Sequence, residues 1–180
     1  MIWLTSDLHF CHNKDFIYAP RGFDSVEDMN SAIVSRWNEV VKDDDEVYVL
    51  GDLMLDDNEE GIRLWNELNG IKHIVLGNHD TDTRIELYGT CPRTDIEGYA
   101  KLLKYRGYHF YLSHYPTLTA NFDENRPLKE KMINLCGHSH TSDRFRDMDR
   151  SIIYHVELDA HGNRPVSIDE VIDDLLIQQL

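Results

Sequence analysis

Five times along this chain a short apolar run ends and a cluster of Asp, Asn or His begins. Ile2–Thr5 leads into Asp7-Leu8-His9, and Val47–Leu50 into Gly51-Asp52. Ile71–Leu76 leads into Gly77-Asn78-His79-Asp80. Phe110–Leu112 precedes Ser113-His114-Tyr115-Pro116, and Met132–Cys136 precedes Gly137-His138-Ser139-His140. Short apolar runs bounded by turn or polar residues read as buried strands. In α/β sheets ligands bind beyond the carboxyl ends of the strands, so the pattern predicts five polar clusters converging at one edge of a sheet.

Helical periodicity fills the gaps. Val26, Met29, Ile33, Trp37 and Val40 recur at spacings of three and four behind Ser25, which with Asp28 resembles a capping box. Glu59 to Leu68 predicts a second helix, closed by Asn69-Gly70, and Ser167 to about Gln178 a third, opened by Ser167 and Glu170. Ile152–Leu158 reads as a sixth strand. Tyr99–Tyr105 and Tyr108–Leu112 flank Arg106-Gly107 and predict a β-hairpin. Strand–helix alternation favours an α/β layered fold, and without an internal repeat or linker we expect one domain over residues 1–180.

Composition excludes several classes. The net charge of -15 disfavours a broad surface for nucleic acid or anionic membrane. No apolar run approaches the roughly 18 residues of a membrane span, and the first residues lack the pattern of a signal peptide, so the expected location is the cytoplasm. Cys11, Cys91 and Cys136 are too few and too irregularly spaced for a disulfide framework or a thiolate zinc site.

The clusters offer seven oxygen or nitrogen donors: Asp7, His9, Asp52, Asn78, His114, His138 and His140. This set suits manganese, iron or zinc better than calcium or thiolate-bound metals and disfavours magnesium only mildly; the expected cofactor is two divalent ions, manganese first, with iron, zinc and magnesium as alternatives. One ion rarely takes seven groups from distant segments, whereas two ions sharing a carboxylate would use them all. Such a pair can clamp the attacking and leaving oxygens of a phosphoryl displacement. Two divalent ions also outweigh the two carboxylates and a bound hydroxide, leaving a net positive site inside an acidic protein. Singly, Asp-x-His, Gly-Asp and Gly-Asn-His-Asp read equally well as turns. Their joint occurrence, each behind an apolar run, points to a metal centre.

In this order the motifs resemble the signature of the calcineurin-like metallophosphoesterases. The resemblance implies a four-layer α/β/β/α sandwich and hydrolysis of phosphate mono- or diesters by a metal-bridging hydroxide. It implies that Asp7, His9 and His140 hold one ion, that Asn78, His114 and His138 hold the other, and that Asp52 bridges them. His79 would contact the phosphate or protonate the leaving oxygen, and Asp80 would orient His79. A finer likeness, through Asp7 to His12, Arg21-Gly22-Phe23, Glu27 to Asn30 and Trp37-Asn38, is to a group of small bacterial and phage phosphoesterases. That loop makes His12 and Arg21 candidate phosphate contacts. The tyrosines of the hairpin offer stacking for an aromatic leaving group or, alternatively, cross-strand packing. Asp159-Ala160-His161 matches no motif. The expected partner is a small phosphate ester. The alternatives are a nucleotide pyrophosphohydrolase or cyclic-nucleotide phosphodiesterase, a non-catalytic scaffold of the same fold, and a structural metal protein. A seven-donor set without thiolates argues against the last.

Overall fold

The computed structural model describes residues 1–119, 126–146, 148 and 151–178. The chain begins with β1 (Ile2–Thr5), α1 (Asp15–Tyr18), α2 (Val26–Val40), β2 (Glu46–Val49), α3 (Asn58–Glu67), β3 (Ile71–Val75) and α4 (Asp82–Tyr88). It continues through β4 (Thr94–Gly98), β5 (Ala100–Tyr105), β6 (Tyr108–Ser113) and β7 (Met132–Cys136). It ends with β8 (Phe145–Arg146), β9 (Ile152–His155), β10 (Val166–Ser167) and α5 (Ile168–Ile177).

These strands form two five-stranded sheets, ordered β10-β1-β2-β3-β4 and β5-β6-β7-β9-β8. In the first, β1, β2, β3 and β4 are mutually parallel, so the chain leaves β1, β2 and β3 at the same end. In the second, β6, β7 and β9 are parallel.

Strands buried on both faces need near-continuous apolar sequence, and β2 shows why. Val47 and Val49 face one cluster with Met29, Ile33 and Trp37 of α2, Leu64 and Trp65 of α3 and Tyr88 of α4. Tyr48, with Leu4, Leu50 and Val75, faces the other, against Phe110, Leu112, Ile133, Leu135 and Tyr154 of the second sheet. Helix α5 contributes Ile168, Val171 and Leu175 to that inter-sheet cluster. The two sheets and their flanking helices are those of the metallophosphoesterase fold expected from the resemblance. Among the described residues no helix is long and apolar enough to cross a membrane.

Local signals held where they had a physical basis. Ser25 Oγ accepts from the Asp28 N–H, and Ser167 with Glu170 closes a reciprocal capping box. The expected run Ile152–Leu158 is shorter: β9 stops at His155, and Leu158–Ala160 form a 3-10 turn. The single expected sheet edge becomes one end of two sheets, because the connection from β4 to β5 starts a second layer.

Candidate metal centre

All five polar clusters meet at the carboxyl ends of β1, β2, β3, β6 and β7. After β1 the backbone runs on beside the segment that follows β2, with Asp7 N–H donating to Gly51 O (3.0 Å) and His9 N–H to Asp52 O (3.1 Å). Asp7, His9, Asp52, His138 and His140 all take left-handed backbone conformations, with φ of 56°, 50°, 57°, 72° and 48°. For residues with a Cβ this costs roughly 1–2 kcal/mol each. Strain of this kind concentrates where the surroundings hold a side chain in a functional place.

Two glycines make the approach possible. A Cβ on Gly77 would collide with Asp52 Oδ1, and one on Gly137 with Ser6 Oγ and Asp7 Oδ2. Gly137→Ala is therefore expected to displace Asp7. It should destabilise the metal-free protein by about 1–3 kcal/mol, as overpacking does. For a chain of this size that lowers Tm by roughly 2–12 °C in a thermal melt.

Donor atoms of Asp7, His9 and His140 lie within 4.8 Å of one another, as do those of Asp7, Asp52 and His114. His9 Nε2 and His140 Nε2 are 3.1 Å apart, and Asp7 Oδ1 is 3.7 Å from the first and 3.6 Å from the second. His114 Nε2 lies 2.9 Å from Asn78 Oδ1, 3.2 Å from His138 Nδ1 and 3.4 Å from Asp52 Oδ2. Asp52 Oδ2 is also 3.9 Å from His9 Nε2, so it borders both groups. The structure thus brings together all seven candidate donors.

Electrostatics fit a cation here. Asp7 Oδ2 accepts from Ser6 Oγ (2.5 Å) and from the His138 N–H (2.8 Å), while Oδ1 is buried with no hydrogen-bond partner. An orphaned buried carboxylate oxygen is costly unless a cation meets it. Burial pushes the His9 imidazole down to about 4, against the attraction of Asp7. Burial alone would raise Asp7, but the nearby imidazoles of His9, His114 and His140 hold it well below the usual carboxylate range. Burial raises the Asp52 carboxyl, with His114 opposing. A neutral His9 beside an ionised Asp7 is the protonation state that metal binding needs.

The donors are held from behind. His114 Nδ1 faces Leu50 O at 2.8 Å, which aims Nε2 at the cluster. His140 Nδ1 faces Asp159 Oδ2 at 3.3 Å. Asp159 in turn accepts from Arg21 Nε (3.1 Å) and Nη2 (2.8 Å). Burial would raise Asp159, but His140 and Arg21 bring it down to about 2. The unassigned Asp159 is thus the carboxylate that orients His140. The 3-10 turn after β9 carries it, and a longer strand there would have placed it elsewhere.

Two expected roles do not fit. The Arg21 side chain is 1% exposed, and besides Asp159 it donates to Asp7 O (2.8 Å) and Leu8 O (3.3 Å). It ties the β1 loop to Asp159 and turns no free donor towards a substrate. Asp80 accepts from Gly77 N–H (2.7 Å), Asp52 N–H (3.0 Å) and the Tyr88 hydroxyl (2.9 Å). It fixes the backbone that presents Asp52, and no contact joins it to the His79 ring. His79 itself stands at the open side, 42% exposed, with Nε2 4.0 Å from Asp52 Oδ2. The His12 ring lies 5.3 Å from that of His9 and 6.5 Å from that of His79, with its Nδ1 buried and unpartnered. Of the hairpin tyrosines, Tyr99 is near this end, since Ala100 pairs with Ser113, whereas Tyr105 and Tyr108 lie at the far end. Cys11 and Cys136 are buried free thiols, and burial raises Cys11 to about 11 and Cys136 well above its ordinary value.

Known proteins share this sequence and fold. An uncharacterised protein of Methanocaldococcus jannaschii, MJ1445, is 34% identical over 179 residues, covering 95% of this chain and 89% of that protein. The Gene 66 protein of Mycobacterium phage L5 is 29% identical, covering 95% and 92%. A protein of unknown function from Aquifex aeolicus, AQ665, superposes with a TM-score of 0.70 at 26% identity, over 97% of this chain and 98% of its own. A novel archaeal phosphodiesterase shares the fold with a TM-score of 0.52 at 17% identity, over 89% and 86%. Residues 1–156, which carry all seven candidate donors, match the calcineurin-like phosphoesterase superfamily domain, and the chain belongs to that superfamily.

Proposed function

We propose that this chain hydrolyses small phosphate mono- or diesters at a centre of two divalent ions, manganese in the first instance. The observation that carries the reading is the convergence of seven donors around a buried, unpartnered Asp7 Oδ1, with the half-exposed His79 at the open side. Asp7, His9 and His140 would hold one ion, Asn78, His114 and His138 the other, and Asp52 both. Bound there, divalent ions supply Lewis acidity for phosphate oxygens and an activated water.

The chain's own groups supply the rest. The His79 N–H donates to Asp52 Oδ1 (2.8 Å), and its carbonyl accepts from Arg84 Nη1 (2.6 Å), so the residue is fixed while its ring stays free. That ring is placed to hydrogen-bond a phosphate oxygen or give a proton to the leaving oxygen. His12 borders the same space and is a further phosphate contact.

Asp159→Asn should weaken the ion at Asp7, His9 and His140 by roughly 10–100-fold, as loss of a ligand's orienting partner does. Titration with Mn²⁺ should show the other site unchanged. The function itself is tested on chelator-stripped protein with bis(p-nitrophenyl) phosphate and p-nitrophenyl phosphate while Mn²⁺ is added back. Metal-dependent turnover of either supports the reading. No turnover with both ions bound contradicts it and favours a scaffold of the same fold. A nucleotide pyrophosphohydrolase or cyclic-nucleotide phosphodiesterase would use the same groups, and the substrate then separates them.

A further inference from the structure

Among the described residues, the aromatic side chains that stand exposed are Phe16 (66%), Tyr99 (73%) and Tyr115 (51%). All three lie at the end of the sandwich that carries the donors. The Tyr115 ring packs edge-on against two of the donor imidazoles, 4.6 Å from His138 at 63° and 5.2 Å from His114 at 73°. Its carbonyl accepts from Ser113 Oγ (2.8 Å) and Thr117 Oγ1 (2.9 Å), so the backbone beneath the ring is fixed. Phe16 packs edge-on against His12 at 5.8 Å, on the other side of the cluster, where His12 neighbours His9 and His79. Tyr99 is placed by register, between Gly98, paired with Val75, and Ala100, paired with Ser113. A single exposed ring needs no explanation. Three exposed rings gathered at one end, two of them seated against the site's own histidines, do.

Two arginines near the site are already occupied. Arg21 is buried against Asp159, and Arg84 donates to His79 O and Asn58 Oδ1. With a net charge of -15, the chain is also poorly suited to track the backbone of a nucleic-acid strand. Exposed ring faces, by contrast, stack on any flat π-system.

We infer that the site selects small phosphate esters whose organic part carries a flat aromatic group, a nucleobase or aryl ring, with Tyr115 as the stacking platform and Phe16 flanking the opposite side. This rests on the phosphoesterase reading above.

The test is binding, so that it stands apart from turnover. Adenosine 5′-monophosphate and ribose 5-phosphate, which differ by the base alone, are titrated calorimetrically into Mn²⁺-loaded His79→Ala protein, in which turnover is slowed, and the Tyr115 and Phe16 substitutions are made in that background. The expected result is tighter binding of the nucleotide by roughly ten- to a hundredfold, the range of one base stacked on an aromatic side chain. Tyr115→Ala should collapse that ratio towards one, Phe16→Ala should reduce it, and Tyr115→Phe should keep it. Equal affinity for the two ligands, equal weakening of both in Tyr115→Ala, or no binding of either would overturn the inference. Preference for the nucleotide without hydrolysis of any ester would sink the phosphoesterase reading and leave the stacking site standing. Hydrolysis with equal affinities would do the reverse.

Discussion

Asp52→Asn is expected to lose both ions at once and with them essentially all turnover. Asp52 Oδ1 accepts from the His79 N–H at 2.8 Å, while Oδ2 lies 3.4 Å from His114 Nε2 and 3.9 Å from His9 Nε2. Asparagine would keep its oxygen on the His79 N–H and turn an NH₂ donor towards the imidazoles. The site then loses a negative charge and gains a group that repels cations. The metal-free fold should survive. Asp52 is buried, and burial raises its carboxyl above the ordinary value. In the metal-free protein its ionisation carries no cost below the unfolded pKa, a cost that grows as pH rises from there to the raised folded value, and its full cost above that value. The neutral amide removes that cost, so metal-free Asp52→Asn should melt at or above the native metal-free Tm. Elemental analysis and thermal melts read the two effects separately. A variant that kept either ion at native affinity would refute the shared-carboxylate assignment.

His79→Ala should give the opposite pattern: metal content unchanged, turnover reduced by roughly 10²–10⁴-fold if the imidazole acts as the proton donor. The ring is 42% exposed and outside both donor groups, so truncation leaves no buried polar atom unpaired. Because a leaving group of low pKa needs little protonation, the loss should be greater for alkyl esters than for p-nitrophenyl esters. Steady-state rates on the two ester types decide this. An equal loss on both would assign His79 to phosphate binding alone.

The convergence of the seven candidate side chains was legible in the sequence because strand ends are legible. Each donor follows an apolar run directly, and parallel strands deliver their carboxyl ends to one place. The residues behind the donors were not, and the reason is spatial. Asp159 and Arg21 are 138 positions apart, and their pairing depends on the 3-10 turn after β9, which the apolar run Ile152–Leu158 concealed. Asp80 sits next to His79 in sequence, which suggested a partnership, yet its carboxylate points back onto Gly77 and Asp52. Neighbours in sequence are not neighbours at their side-chain tips. β4 (Thr94–Gly98) was missed for a different reason: at the edge of the first sheet, it carries Asp95, Glu97 and Gly98 and lacks a buried strand's apolar run. The second sheet was likewise invisible to periodicity, which reports strands and not the layer each joins.

On the proposed function, one centre holds two ions through these seven side chains. The direct measurement is calorimetric titration of Mn²⁺ into chelator-stripped native protein, paired with elemental analysis of the saturated complex. Two ions per chain in the native protein, with both sites weakened in Asp52→Asn, is the predicted result. A single ion per chain at saturation, or two ions that Asp52→Asn leaves undisturbed, would contradict it.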